Sequence, residues 1–189
     1  MITKAGVPSK KVIVGISSYG RSFHMAEPGY KEPMCQFTGS STESDAAKGP
    51  YPDTRGCIAS AEIRQILLDG QYPECIGYYV ESYHDGPSNS DILVYNDEEW
   101  VAWMTDTTKS TRILWVKGLN FGGVSDWAVD LNIDYSDSGV GETENRDIIL
   151  CHLIYKFASL NKLVIDTNKI RPRYKPIYTL YILNNILNK

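Results

Sequence analysis

The 189-residue chain has no apolar run near the roughly 20 residues that a membrane-spanning helix needs. It has no C-x-x-C pair either. Cys35, Cys57, Cys75 and Cys151 stand wide apart, unlike the ligands of a zinc site. The three histidines, His24, His84 and His152, are as scattered, so no metal site and no cofactor is expected. Positive charge is in deficit: 19 Lys and Arg against 23 Asp and Glu leave a net charge of −4. A general nucleic-acid binder carries the opposite balance. Residues 1–20 lack the basic, apolar and small-residue segments of a secretory leader. A globular composition is left, 42% hydrophobic. No membrane or nucleic-acid partner is expected, and the oligomeric state stays open. The four cysteines fit two disulfides or four buried thiols, and their spacing does not choose.

What is present reads as alternating strands and helices. "KKVIVGISSYG" (Lys10–Gly20) is β-branched without clean alternation, as in a strand covered on both faces of a parallel sheet. From His24 to Arg55, Gly, Pro, Ser, Thr and Asp predict a long loop region. Ser60 reads as a helix N-cap, with Glu62 in the first turn. Ile63, Ile66 and Leu67 give that helix an apolar face, and Gly70 ends it. The runs Ile76–Tyr83 and Ile92–Tyr95 flank an Asp-Gly-Pro-Ser-Asn-Ser turn, which is a hairpin signature. Asn96 or Asp97 reads as the cap of a further helix, with Glu98 and Glu99 in its first turn. Trp100, Trp103 and Met104 form the apolar stripe of that helix. Another helix is predicted over about Thr108–Lys117, stopped by Gly118, and a second core strand over Phe121–Val129. Strand, long insertion, helix, strand is a βα repeat carrying an inserted subdomain. After Asn132 a polar linker follows, and residues 146–159 and 175–187 read as helical. Residues 160–189 hold six Lys/Arg and one Asp, +5 against −9 for the rest. Prolines and apolar residues interleave those charges, which favours a solvated helix face over a nucleic-acid site.

The chemistry concentrates at two strand ends. "GLNFGGVSDWAVDLN" (Gly118–Asn132) puts Trp127 where a strand emerges, with Asp126 and Asp130 about it. Sites in βα barrels form at the C-terminal strand ends. An indole there offers an apolar platform for the C–H face of a sugar ring, and carboxylates accept hydrogen bonds from sugar hydroxyls. Taken alone, Trp127 fits a core or helix-interface filler as well. Tyr19 and Arg21 follow the first strand. They suit a ligand oxygen and a carboxylate, or an ordinary structural ion pair.

Together these segments resemble glycoside hydrolase family 18. "KVIVGISSYGRSFHMAEPG" is similar to the family's seventh-strand motif. "DILVYNDEEWVAWM" is similar to the end of its inserted subdomain and the next helix. "GLNFGGVSDWAVDLN" is similar to its eighth strand, whose tryptophan lies under the sugar at the cleavage point. "KAGVPS", "SSYGRSFHM", "AEI" and "NFGGVSDWAVDL" come closest to fungal chitinases of the killer-toxin-like subgroup.

The resemblance covers about residues 2–132 and implies an α/β fold. This is a partial TIM (β/α)8 barrel, its last two strands, with an inserted small α+β subdomain. Residues 1–23 would be barrel strand seven, 24–95 the α+β insertion, 96–133 a helix and strand eight, and 134–189 a linker and helical basic tail. It implies secretion, chitin or chitin oligosaccharides as partner, and sugar contacts for Tyr19, Arg21 and Trp127. Asp126 and Asp130 would be the substrate surround. It also implies a gap. The family's acid/base glutamate lies in a D-x-x-D-x-D-x-E motif, and these 189 residues contain no such run. The third- and sixth-strand motifs are missing as well. No catalytic residue is therefore assigned, and the chain alone is expected to be inactive on chitin. Met1 would fall at the end of the sixth helix, as in the C-terminal part of a chitinase. The subgroup often has cysteines where Tyr30, Tyr51 and Tyr174 stand, which leaves Cys35 and Cys151 without expected partners. A non-catalytic chitin-binding protein is one alternative, and an unrelated α/β interaction domain is another. Binding to insoluble chitin separates the last from the others.

Overall fold

The computed structural model describes residues 3–32, 34–40, 42–132, 151–153, 156, 159 and 160. The expected linker and the helix over 175–187 lie outside them. The chain falls into two compact units, Met1–Arg64 with Glu81–Ile133, and Gln65–Val80 with Asp134–Lys189.

The first unit contains two sheets. Strand β1 (Ile13–Ser17) and strand β7 (Gly123–Trp127) form a parallel pair, with Ile13 opposite Gly123 and Ser17 opposite Trp127. Helix α3 (Asp106–Gly118) leads into β7. Thr105 caps α3, its side chain accepting from the Thr108 N–H at 3.2 Å, so one free donor of the first turn is satisfied. The second sheet has five strands in the order β3-β2-β6-β5-β4. They are β2 (Tyr19–His24), β3 (Cys57–Ala59), β4 (Val80–Asp85), β5 (Ser90–Tyr95) and β6 (Glu99–Trp103). Helix α1 (Ser60–Asp69) begins directly after β3 and has only its first five residues in this unit; its Ile63 is fully buried, as are Leu93 and Val101 of the sheet.

Strand β6 corrects the sequence reading. Asn96 and Asp97 do not cap a helix. Both take left-handed backbone, φ 54° and 60°, which Asn and Asp adopt more readily than other side chains. They turn β5 back onto β6, with Tyr95 opposite Glu99 and Val94 opposite Trp100. Glu99, Val101 and Trp103 are buried while Trp100 and Ala102 are half-buried, which is a period of two and belongs to a strand. Glu99 is not at a helix N-terminus. Its carboxylate meets His24 Nδ1 at 2.9 Å and accepts from the Ala47 N–H at 3.2 Å. The loop expected from His24 onward therefore follows a strand of the second sheet, β2, that the apolar pattern did not reveal.

The second unit holds a short helix α2 (Pro73–Ile76) and helical residues 151–153. Tyr72 packs on the His152 ring at 4.5 Å between centroids, and His152 Nδ1 lies 2.8 Å from Glu74 Oε1. Cys151 is disulfide-bonded, so the expectation that it lacks a partner is overturned. Cys35 and Cys57 are free thiols, which excludes both two disulfides and four thiols. Among the described residues no helix is long and apolar enough to cross a membrane.

Candidate functional site

The site is built where β1 and β7 end side by side. Ser18, one residue past β1, is 3% exposed. Its N–H donates to the Trp127 carbonyl at 2.7 Å, extending the parallel ladder by one bond. Trp127 closes β7 and is 68% exposed in this chain. Its indole presents open apolar surface at the end of the strand.

Asp126 is held. Ser18 Oγ donates to its Oδ1 at 2.5 Å, and Lys109 Nζ donates to its Oδ2 at 2.6 Å. Lys109 Nζ also donates to Ser18 Oγ at 3.1 Å, which closes a three-membered ring of polar groups. The Lys109 ammonium, with the Ser18 hydroxyl second, holds the Asp126 carboxyl below the usual carboxylate range. A cavity of about 130 Å3 lies beside this ring, lined in part by Ser17, Ser18, Trp103, Thr105 and Lys109. Trp103 Nε1 is buried without a hydrogen-bond partner there.

Tyr19 and Arg21 sit on β2 of the antiparallel sheet, not on the end of β1. Successive strand residues face opposite ways. Gly20 and Ser22 are buried, while Tyr19 and Arg21 share the outer face, with Arg21 Cζ 5.6 Å from the Tyr19 ring centroid. Arg21 therefore lies at cation–π range of a neighbouring tyrosine. Asp130 is in an exposed 3-10 turn, Val129–Asn132, outside the ring that holds Asp126. Nearby, Arg64 Nη2 donates to the Asn132 carbonyl at 3.0 Å. The structure thus ties Asp126 to Trp127 through Ser18 and leaves Asp130 apart.

Nothing in the sequence singles out Ser18 or Lys109. A serine between two strands and a lysine on a polar helix face carry no periodic signal. No group of three or more His, Cys, Asp or Glu placed to hold a metal ion occurs among the described residues.

The sequence profile of Glycosyl hydrolases family 18 matches residues 1–132. The chain belongs to this family. It is 46% identical over 135 residues to "Probable chitinase LysM11" of Penicillium expansum, covering 69% of this chain and 12% of that protein. It is 45% identical over 131 residues to "Secreted chitinase LysM12" of the same organism, covering 69% of this chain and 8% of the relative. It superposes on an immunomodulatory active chitinase from Trichuris suis with a TM-score of 0.55 and 25% identity, over 68% of this chain and 31% of that one. The chain thus spans about an eighth or less of the length of these Penicillium relatives. The α/β architecture described above is shared with family 18 chitinases. Within the match lie β1, the antiparallel sheet, α3 and β7, and so all five residues singled out from the sequence.

Proposed function

We propose that this chain is the C-terminal part of a family 18 glycoside hydrolase barrel directed at chitin. Strands β1 and β7 are then neighbouring strands of the barrel, and the antiparallel sheet between them is the inserted subdomain. Trp127 is the sugar platform. The observation that carries the reading is the open indole at the C-terminal end of β7, 68% exposed beside the end of a parallel neighbour. An exposed aromatic at that end of a βα strand is where barrel enzymes bind substrate. Tyr19 and Arg21 add a phenol and a guanidinium from the adjoining segment. The fungal relatives named as chitinases support chitin as the polymer, and the name "Secreted chitinase" supports an extracellular setting.

The chain binds chitin and does not cleave it alone. Glycoside hydrolysis needs a protonated carboxyl beside the leaving oxygen. Asp126 is a poor acid, because its pairing with Lys109 favours the ionised form. The test is a pull-down on insoluble chitin with wild-type protein and Trp127→Ala, run with an assay for released N-acetylglucosamine oligomers. Wild-type protein binds, Trp127→Ala loses about tenfold or more in affinity, the scale of an aromatic contact of a few kcal/mol, and no oligomers appear. Equal binding by both proteins refutes the platform. Time-dependent oligomer release refutes the non-catalytic role.

A further inference from the structure

We propose that Ser18 and Lys109 are positioning residues for the sugar platform: they hold Asp126 on one face of β7 and so set Trp127 on the other. The inference rests on the reading of Trp127 as the platform.

Asp126 and Trp127 are consecutive residues of one strand, so their side chains face opposite ways. Any twist of the strand end that reorients the indole must also move the carboxylate. The carboxylate is anchored at both oxygens, at 2.5 Å by Ser18 and at 2.6 Å by Lys109. Ser18 also holds the residue next to it, through the 2.7 Å bond from its N–H to the Trp127 carbonyl. One buried serine therefore grips both members of the Asp126–Trp127 pair, one by its hydroxyl and the other by its backbone.

The chain's own packing contributes little here. From Val124 to Trp127 every residue of β7 is exposed. An exposed strand end without such a tie is free to twist. Lys109 reaches over from the first turn of α3, and its side chain is only 20% exposed, so its ammonium is held among these groups and not spread in solvent. The Ser18 hydroxyl accepts from Lys109 and donates to Asp126. That use of its one proton and a lone pair fixes its rotor. The ring is thus polar machinery that orients a neighbouring apolar surface, without touching the sugar.

The experiment compares chitin-binding isotherms of the full chain and four variants: Lys109→Met, Lys109→Arg, Ser18→Ala and Trp127→Ala. Lys109→Met is expected to weaken binding about fivefold, the scale of one partly exposed, charge-assisted contact. Lys109→Arg restores most of it, because the guanidinium keeps the charge and the donors. Ser18→Ala weakens binding at least as much as Lys109→Met. Amide exchange at Leu93 and Val101, in the antiparallel sheet, stays at wild-type rates in both. Full affinity in Lys109→Met and Ser18→Ala, with Trp127→Ala defective, overturns this inference alone. A Lys109→Met loss that Lys109→Arg does not relieve, or that comes with lost protection at Leu93 and Val101, overturns it in favour of a general structural role. Wild-type binding by Trp127→Ala overturns the platform reading beneath it.

Discussion

Gly20 separates Tyr19 from Arg21, and replacing it with alanine tests how the antiparallel sheet holds those two residues. A Cβ built on Gly20 would meet Val101 Cγ1 at 2.6 Å, Ile63 Cδ1 at 2.8 Å and Ile58 Cγ2 at 3.2 Å. The first two distances are below any real carbon contact. Ile63 and Val101 are fully buried and Ile58 is 4% exposed, so all three must shift inside a filled core. Overpacking of one methyl costs about 1–3 kcal/mol. Removing glycine from the unfolded chain returns about 0.4–1 kcal/mol. The net is a destabilisation of about 1–2 kcal/mol. With a urea slope of about 2 kcal/mol/M, the midpoint falls by about 0.5–1 M.

Gly15→Ala is the matched control. Gly15 is also a strand glycine, in β1, but a Cβ there has nothing within 4 Å. The same change should leave the midpoint level or raise it slightly. Urea titrations of the three proteins, followed by far-UV dichroism, decide the matter. If Gly20→Ala is as stable as wild type, the close packing of β2 under α1 is refuted. If both variants fall equally, the cost is one of backbone and not of packing.

Two further outcomes are expected. Asp91 accepts from the Thr105 N–H at 2.7 Å and pairs with His84 Nδ1 at 2.9 Å. Burial raises its carboxyl pKa, but the bonds from Thr105 and His84 outweigh burial and leave it below the ordinary range. A depressed folded pKa adds stability above the unfolded value of about 3.9, lost as pH falls through the folded value. Asp91→Asn should therefore cost about 1–2 kcal/mol at neutral pH. The gap from wild type should close in urea titrations taken towards pH 3, and a pH-independent gap refutes the assignment. In hydrogen exchange, amides of Leu93 and Val101 should outlast those of Ile16 and Val124 by about tenfold or more, because a two-stranded pair is marginal without cover. Uniform protection across both sheets would contradict this.

Much of the scaffold was legible in residue pattern. Helix α1 shows its apolar face, though Ser60 is its first residue and not its cap, and α3 shows its stop at Gly118. The run that became β1 stands out because Ile13, Val14 and Ile16 cluster, and β7 stands out by the tryptophan at its end. β2 and β6 did not stand out, for opposite reasons. In β2 the buried residues are Gly20 and Ser22, so the inward face is small and polar and leaves no apolar trace. In β6 two tryptophans three apart imitate a helical stripe. The true period of two is hidden because Glu99 occupies an inward position, where only its contacts with His24 and Ala47 make a carboxylate tolerable. Two adjacent residues able to take positive φ are the available sign of a turn, but Asn and Asp favour helix caps as well.

The strand-end tryptophan was legible in the sequence, and the polar groups packed beside it were not. Trp127 announces itself as a large apolar side chain at a strand end. Ser18 and Lys109 lie 108 and 17 residues from Asp126 in the chain, and only the fold brings the three together. What decides which of the two neighbouring residues faces outward is strand register. Ser17 stands opposite Trp127 and Ile16 opposite Asp126. A slip of one residue would exchange their faces, turning the carboxylate out and the indole into the polar ring. The entrance to β7 resists that slip in the direction that would bring Phe121 forward. A Cβ on Gly122 would stand 2.3 Å from the Lys10 carbonyl oxygen, and the Gly122 N–H donates to Val12 at 2.9 Å. Only a glycine passes at that separation. A slip that brings Phe121 to this point is barred at the start of β7, and one that brings Gly123 there is opposed at its end by Ser18 and Lys109. The outward face of Trp127 follows from those two constraints, not from any preference of tryptophan for solvent.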